Sequence, residues 1–222
     1  RVVLSEGEGE APAGEQKGET TVLLAPSWGE SGILRRYGEK MIDALLSTGY
    51  RIVIRPHPQT VKSEKEFLEP LQKKYPDGER LTWNYDSDNF SALCGADLMI
   101  SDYSSVMFDY SLVFNRPILY ANAEFDPAPY DAAWIDGPIW RFQILPKLGK
   151  PLEEADFPRL KERIDELLHN PAGSRLREEV RDEGWAYIGE SAERIVEYML
   201  QKYKEIQEKK IEPLTEPLEK TA

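Results

Sequence analysis

Short, wholly apolar segments of strand length, alternating with helical stretches, constrain this chain most. Thr21-Val22-Leu23-Leu24-Ala25 is stopped by Pro26, and Arg51-Ile52-Val53-Ile54-Arg55 by Pro56. Ala96-Asp97-Leu98-Met99-Ile100 and Pro117-Ile118-Leu119-Tyr120 repeat the pattern, and Leu81-Thr82-Trp83 is a weaker version of it. A strand exposed on one face alternates apolar with polar residues, whereas one covered on both faces is apolar throughout. Helical spacing fills the intervals. Apolar residues fall at 33, 34, 37, 41, 42, 45 and 46 before Gly49, and Phe67, Leu68 and Leu71 share a face over Glu64–Tyr75. Short helices are expected over Asn89–Cys94 and Ser104–Phe114, and three closing helices over Phe157–Leu168, Gly173–Asp182 and Ser191–Lys204. The expected fold is therefore α/β, a Rossmann-like, doubly wound parallel sheet.

The periphery reads differently. Residues 1–19 are rich in Gly, Glu, Ala and Pro without apolar period, which predicts a disordered lead-in or linker ahead of a domain over 20–205. Residues 206–222 are Lys- and Glu-rich with Pro213 and Pro217, and read as a charged tail. Residues 121–150 break the pattern with Pro, Asp and aromatics, and read as a long irregular segment or a loop facing the active site.

Charge and cysteine usage exclude several functions. A net charge of −12 argues against nucleic acid or an anionic lipid surface as partner, without excluding a phosphate ligand held by a few local donors. One cysteine, Cys94, and two histidines, His57 and His169, leave no disulfide framework or structural zinc site. No stretch of about 18 apolar residues crosses a membrane and no leader peptide is visible, so the expected location is the cytoplasm.

In open parallel sheets ligands collect at the carboxyl ends of the strands, and three polar clusters fall there. Pro26–Gly32 offers Gly29, Ser31 and Gly32 before a helix, where backbone N–H groups can approach a phosphate and Ser31 can cap. It matches neither a Walker A loop nor G-x-G-x-x-G. Arg55-Pro56-His57-Pro58 holds an imidazole between two prolines beside a permanent cation. His57 suits a leaving pyrophosphate or, at near-neutral pKa, general-base work. Ser101-Asp102-Tyr103-Ser104-Ser105 offers Ser104 and Ser105 at a helix start, with Asp102 to cap or to hold side chains in position. Asp109 and Tyr110 either support that loop from behind or are structural. His169, in the last turn of a helix, has a dipole-compensating role. Tyr130, Trp134, Trp140 and Phe142 form either local core or a base-stacking wall.

Arg55-Pro56-His57-Pro58, together with Ala96–Val106, Phe108-Asp109-Tyr110, Arg116-Pro117-Ile118-Leu119 and Leu23–Trp28, resembles the CDP-glycerol glycerophosphotransferase family over roughly residues 20–200. The resemblance implies the C-terminal, nucleotide-binding half of a GT-B glycosyltransferase-like fold. It implies a CDP-activated polyol or similar nucleotide donor, a polyol-phosphate or glycan acceptor, and teichoic-acid-type polymers as products. Arg55, His57, Asp102, Ser104 and Ser105 then contact the donor phosphates, with no metal or cofactor. The acceptor-binding half lies outside this chain, and the full-length protein is expected at the inner face of the membrane. Two other readings stand beside this one. One is a GT-B sugar transferase or nucleotide-sugar epimerase with a UDP donor; the other is a nucleotide-binding module inactive without a partner half.

Overall fold

A computed structural model of the chain describes residues 19–121 and 139–211. The described residues fall into two compact units, the first ending at Asp182 and the second running from Glu183 to Ile211. The first carries a six-stranded, all-parallel sheet: β1 (Thr21–Ala25), β2 (Arg51–Ile54), β3 (Leu81–Trp83), β4 (Leu98–Ser101), β5 (Ile118–Ala121) and β6 (Gly149–Leu152). Their spatial order is β3-β2-β1-β4-β5-β6. Leu24 lies opposite Ile54 on one side and Ile100 on the other, so the strands reach one edge almost level.

Helices cover both faces. Helix α1 (Ile33–Ser47) crosses from β1 to β2, and α2 (Pro58–Ser63) and α3 (Lys65–Lys74) lead to β3. Helix α4 (Phe90–Gly95) precedes β4, and α5 (Val106–Phe108) runs into a π-helical turn, Asp109–Val113. Helix α6 (Trp140–Leu148) precedes β6, followed by a 3₁₀ segment (Glu154–Arg159), α7 (Leu160–Leu168) and α8 (Pro171–Gly184). Val22 and Leu24 pack with Ile33, Leu34, Met41, Ile42 and Leu45 of α1 in one core, closed by Ile164 and Leu167 of α7. Leu23 and Met99, alternating to the other face, are also fully buried. Each such side chain contributes on the order of 2 kcal/mol of burial. Tyr37 meets Phe157 edge-on at 5.1 Å between ring centroids, tying α1 to the 3₁₀ segment.

The structure differs from expectation in four places. Helix α1 is kinked at Gly38, whose φ of 47° is left-handed and suits glycine. The helix expected over Glu64–Tyr75 is α3, but a further helix precedes it, because Pro58 starts a separate turn that ends at Glu64. Of the segment expected to be irregular, residues 140–150 form α6 and the start of β6; Pro146 inside the helix and Gly149-Lys150-Pro151-Leu152 in the strand carry weak local signals. Strand β6 lies at the sheet edge, where a proline is tolerated. In the second unit, α9 (Ser191–Ile211) runs past Lys204, its Lys and Glu residues being good helix formers. Along it Ile195, Val196, Met199, Leu200 and Tyr203 are exposed.

Candidate functional site

The strand order reverses between β1 and β4, and the loops leaving these neighbours part in opposite directions. Such a switch point opens a crevice beyond the carboxyl ends of the strands. Asp102 joins the two loops. Its buried carboxylate accepts the Ser27 N–H at 2.9 Å, the Ser27 hydroxyl at 2.5 Å, the Ile33 N–H at 2.8 Å and the Ser104 N–H at 3.3 Å. Gly32, the residue in the N-cap position of α1, has no side chain to offer, so a carboxylate 69 residues away caps the helix instead. Ser31, expected to cap, makes no such bond and is exposed. Behind this, the Ser101 hydroxyl donates to the Ala25 carbonyl at 2.5 Å.

The Gly29–Gly32 turn is thus shaped to meet Asp102. A Cβ on Gly32 would lie 2.4 Å from the Ser27 carbonyl oxygen. Gly32→Ala is therefore expected to destabilise the protein by about 2 kcal/mol or more, where Gly→Ala at an unstrained site usually stabilises. A thermal melt reads the sign.

A cleft of about 400 Å³ opens beside this junction, within the range of small-molecule sites. Arg55, His57, Ser104 and Ser105 line it together with Asp109 and the Ser87–Asn89 loop. Gly29, Ser31 and Gly32 lie off its walls, and Asp102 is buried behind them. The expected phosphate cluster is therefore divided: four residues face the cleft, and the other four build the loop junction that supports it.

His57 is held by its own helix. Its Nδ1 accepts the Gln59 N–H at 3.1 Å, making the imidazole the N-cap of α2 ahead of Pro58. In the neutral ring this leaves the proton on Nε2, which becomes a hydrogen-bond donor. Partial burial lowers the His57 pKa below 6.5, and Asp102 and Glu64 oppose that shift without overcoming it. Neutral His57 is thus a donor with its basic nitrogen already committed.

Arg55 braces the far wall: it donates to the Asn84 side-chain oxygen and, at 2.8 Å, to the Asp86 carbonyl. The hydroxyls of Ser104 and Ser105 are uncommitted among the described hydrogen bonds. Asp109 opens the π-helical turn at the rim, where desolvation raises its pKa above the usual carboxylate range. Tyr110 is fully buried and donates to the Ala96 carbonyl at 3.0 Å, a support from behind. The Ser87–Asn89 wall was not anticipated; its one signal is a polar run after a strand only three residues long. Of the aromatic group, Tyr130, Trp134 and the Phe142 side chain lie outside the described residues, and Trp140 opens α6. His169 ends α7, as expected, its Nδ1 2.8 Å from the Asp165 carbonyl oxygen.

This sheet order, with a polar cleft at its switch point, is the Rossmann-like architecture of GT-B glycosyltransferases. The chain belongs to the CDP-glycerol:poly(glycerophosphate) glycerophosphotransferase family, whose sequence model matches residues 9–133, more than half of it. No curated protein matches the sequence. Among solved structures, MurG of Acinetobacter baumannii aligns with a TM-score of 0.51 and 14% identity, over 84% of this chain and 51% of that one. The glycosyltransferase VinC in complex with dTDP aligns at 0.52 and 12%, over 82% and 42%. The UDP-GlcNAc 2-epimerase of Neisseria meningitidis aligns at 0.52 and 14%, over 84% and 46%. The chain spans about half the length of these structures or less, and at such identities the likeness concerns the fold. Among the described residues no helix is long and apolar enough to cross a membrane.

Proposed function

We propose that this chain binds the donor in a CDP-glycerol glycerophosphotransferase-like enzyme, with the switch-point cleft as the site for a CDP-activated polyol. The observation that carries the reading is the convergence of the His57 Nε2–H with two uncommitted hydroxyls, Ser104 and Ser105, in one cleft. These are donors without competing acceptors, the chemistry that holds a pyrophosphate. Arg55 adds fixed positive charge from the wall, and Asp109 suits a ligand's hydroxyl or amino hydrogens. Asp102 is a positioning residue in this reading: it sets the loop that presents Ser104.

The reaction is displacement at phosphorus. An acceptor hydroxyl attacks the phosphorus that carries the polyol, the bond to the CMP oxygen breaks, and CMP leaves with the bonding electrons. Charge grows on the leaving phosphate, where hydrogen bonds from His57 and the serines stabilise it more than they do the ground state. The acceptor's proton passes to a base outside this cleft, because the basic nitrogen of His57 is engaged by Gln59. Acceptor binding and that base are assigned to the other half of the enzyme.

Calorimetric titration with CDP, UDP and ADP tests the donor. The expected result is saturable binding with CDP tightest. A preference for UDP favours a sugar-nucleotide enzyme of the same fold, and no binding of any of the three removes the reading.

A further inference from the structure

At the opposite, amino-terminal end of the strands lies a second cavity, of about 530 Å³. Its walls come from the residues entering the strands, among them Asp97 before β4 and Arg116 before β5, and from the α7–α8 corner with His169, Asn170 and Arg177. Asp97 and Asp102 flank β4 and stand five residues apart, so the two sites are separated by roughly 16 Å at about 3.3 Å per strand residue.

Arg177, on the second turn of α8, is only 6% exposed. Its Nε donates to the Asn115 side-chain oxygen at 2.9 Å, and its two Nη groups have no acceptor among the described residues. No described carboxylate lies within ion-pair distance of it: neighbouring Glu178 accepts from the Asn115 Nδ2 at 2.8 Å. Burial pushes the Arg177 pKa down, and Tyr110 and Glu178 nearby oppose that shift without overcoming it. A guanidinium does not deprotonate in a protein, and a buried charge without a partner is costly. Such a charge facing a cavity calls for an anion.

The rest of the cavity agrees. Arg116 donates one Nη to the Cys94 and Ala96 carbonyls, which fixes a second guanidinium at the wall. The 14-residue helix α8 begins here, and its dipole adds positive potential at Asn170 and Pro171. Asn170 caps this end by accepting the Ala172 N–H at 3.1 Å. One oxygen of Asp97 accepts the Thr21 N–H at 2.9 Å, and the other is uncommitted among the described hydrogen bonds, an acceptor for a hydroxyl.

We infer that this cavity is a second anion site, separate from the nucleotide cleft, for a small phosphorylated hydroxy compound whose phosphoryl group sits against Arg177 and Arg116 and whose hydroxyls face Asp97. The nucleotide cleft is not part of the inference, which stands or falls alone.

The test is titration of the 222-residue chain with inorganic phosphate and with glycerol 3-phosphate, read by calorimetry with chloride as the control anion. Two variants decide it. Arg177→Gln removes the buried charge. Asn170→Asp keeps the cap, since aspartate caps as well as asparagine, but sets a negative charge at the mouth. Saturable binding is expected, weakened about tenfold or more by each substitution, as for loss of a charge-assisted contact. The folded state of each variant is checked by circular dichroism, and Asn170→Asp carries the test if Arg177→Gln fails to fold. Phosphate binding that Asn170→Asp leaves intact overturns the inference, as does an absence of saturable binding.

Discussion

Asp102→Ala is expected to lower the unfolding free energy by about 3–5 kcal/mol, because it strands several donors at once. The Ser27 and Ile33 amides and the Ser27 hydroxyl converge on this one buried carboxylate, and nothing else among the described residues replaces it. Urea denaturation reads the effect as a lower midpoint at nearly unchanged slope. Asp102→Asn separates the causes: it keeps the shape but turns one acceptor oxygen into an NH₂ group facing donors. A cost comparable to that of alanine shows that the charge and its acceptor geometry matter, rather than the volume. A loss below about 1 kcal/mol in both variants would contradict the view that Asp102 organises the two loops.

His57→Ala carries the second large effect, on binding. Removing the Nε2 donor from the cleft, and the cap that aims it, is expected to weaken CDP binding about 10- to 100-fold. Loss of the cap contributes through disorder of α2, so His57→Asn is the informative companion: asparagine restores a cap but does not reach as far. Binding recovered in full by asparagine would show that His57 acts only on α2 and not on the ligand. The same side chain gives stability a pH dependence. Its folded-state pKa lies below 6.5, so the unfolded chain takes up the proton first as the pH falls. The stability that neutral His57 contributes is therefore present above about pH 6.5, declines as the pH drops from there toward the folded value, and changes no further below it. Chemical denaturation across this range is expected to show the slope in the parent and its loss in His57→Ala.

Much of this architecture was legible in the sequence because local chemistry fixes it. Thr21–Ala25 is a strand over the residues expected, since an apolar run this short, closed by Pro26, suits a strand covered on both faces better than a helix. The stiff turn around His57 was legible from its flanking prolines: Pro56 follows the end of β2, and Pro58 opens α2 with the imidazole as its cap. What the sequence did not reveal falls into two kinds. Trp140–Leu148 and Gly149–Leu152 owe their structure to their neighbours: Gly149 passes so close to Ile118 that a Cβ would meet its carbonyl oxygen at 1.8 Å, a constraint visible only with β5 in place. The division of labour within the polar clusters was hidden for a related reason. Ser31 looks like a cap, and Asp102 like a ligand group, until the 69-residue span between Asp102 and Ile33 closes and takes over the helix end.

That span bears on how the molecule folds and comes apart. Strand β2 follows β1 closely in the chain, but β4 reaches β1 only after β2, β3 and their helices have been passed. Pairing of this kind is a late, slow step, since a long loop must close before any contact rewards it. No partly folded species that lacks β4 beside β1 has Ser104 and Ser105 next to His57. A cleft ligand therefore recognises only the completed sheet, and its binding energy is added to the barrier for global unfolding rather than to that of a local opening.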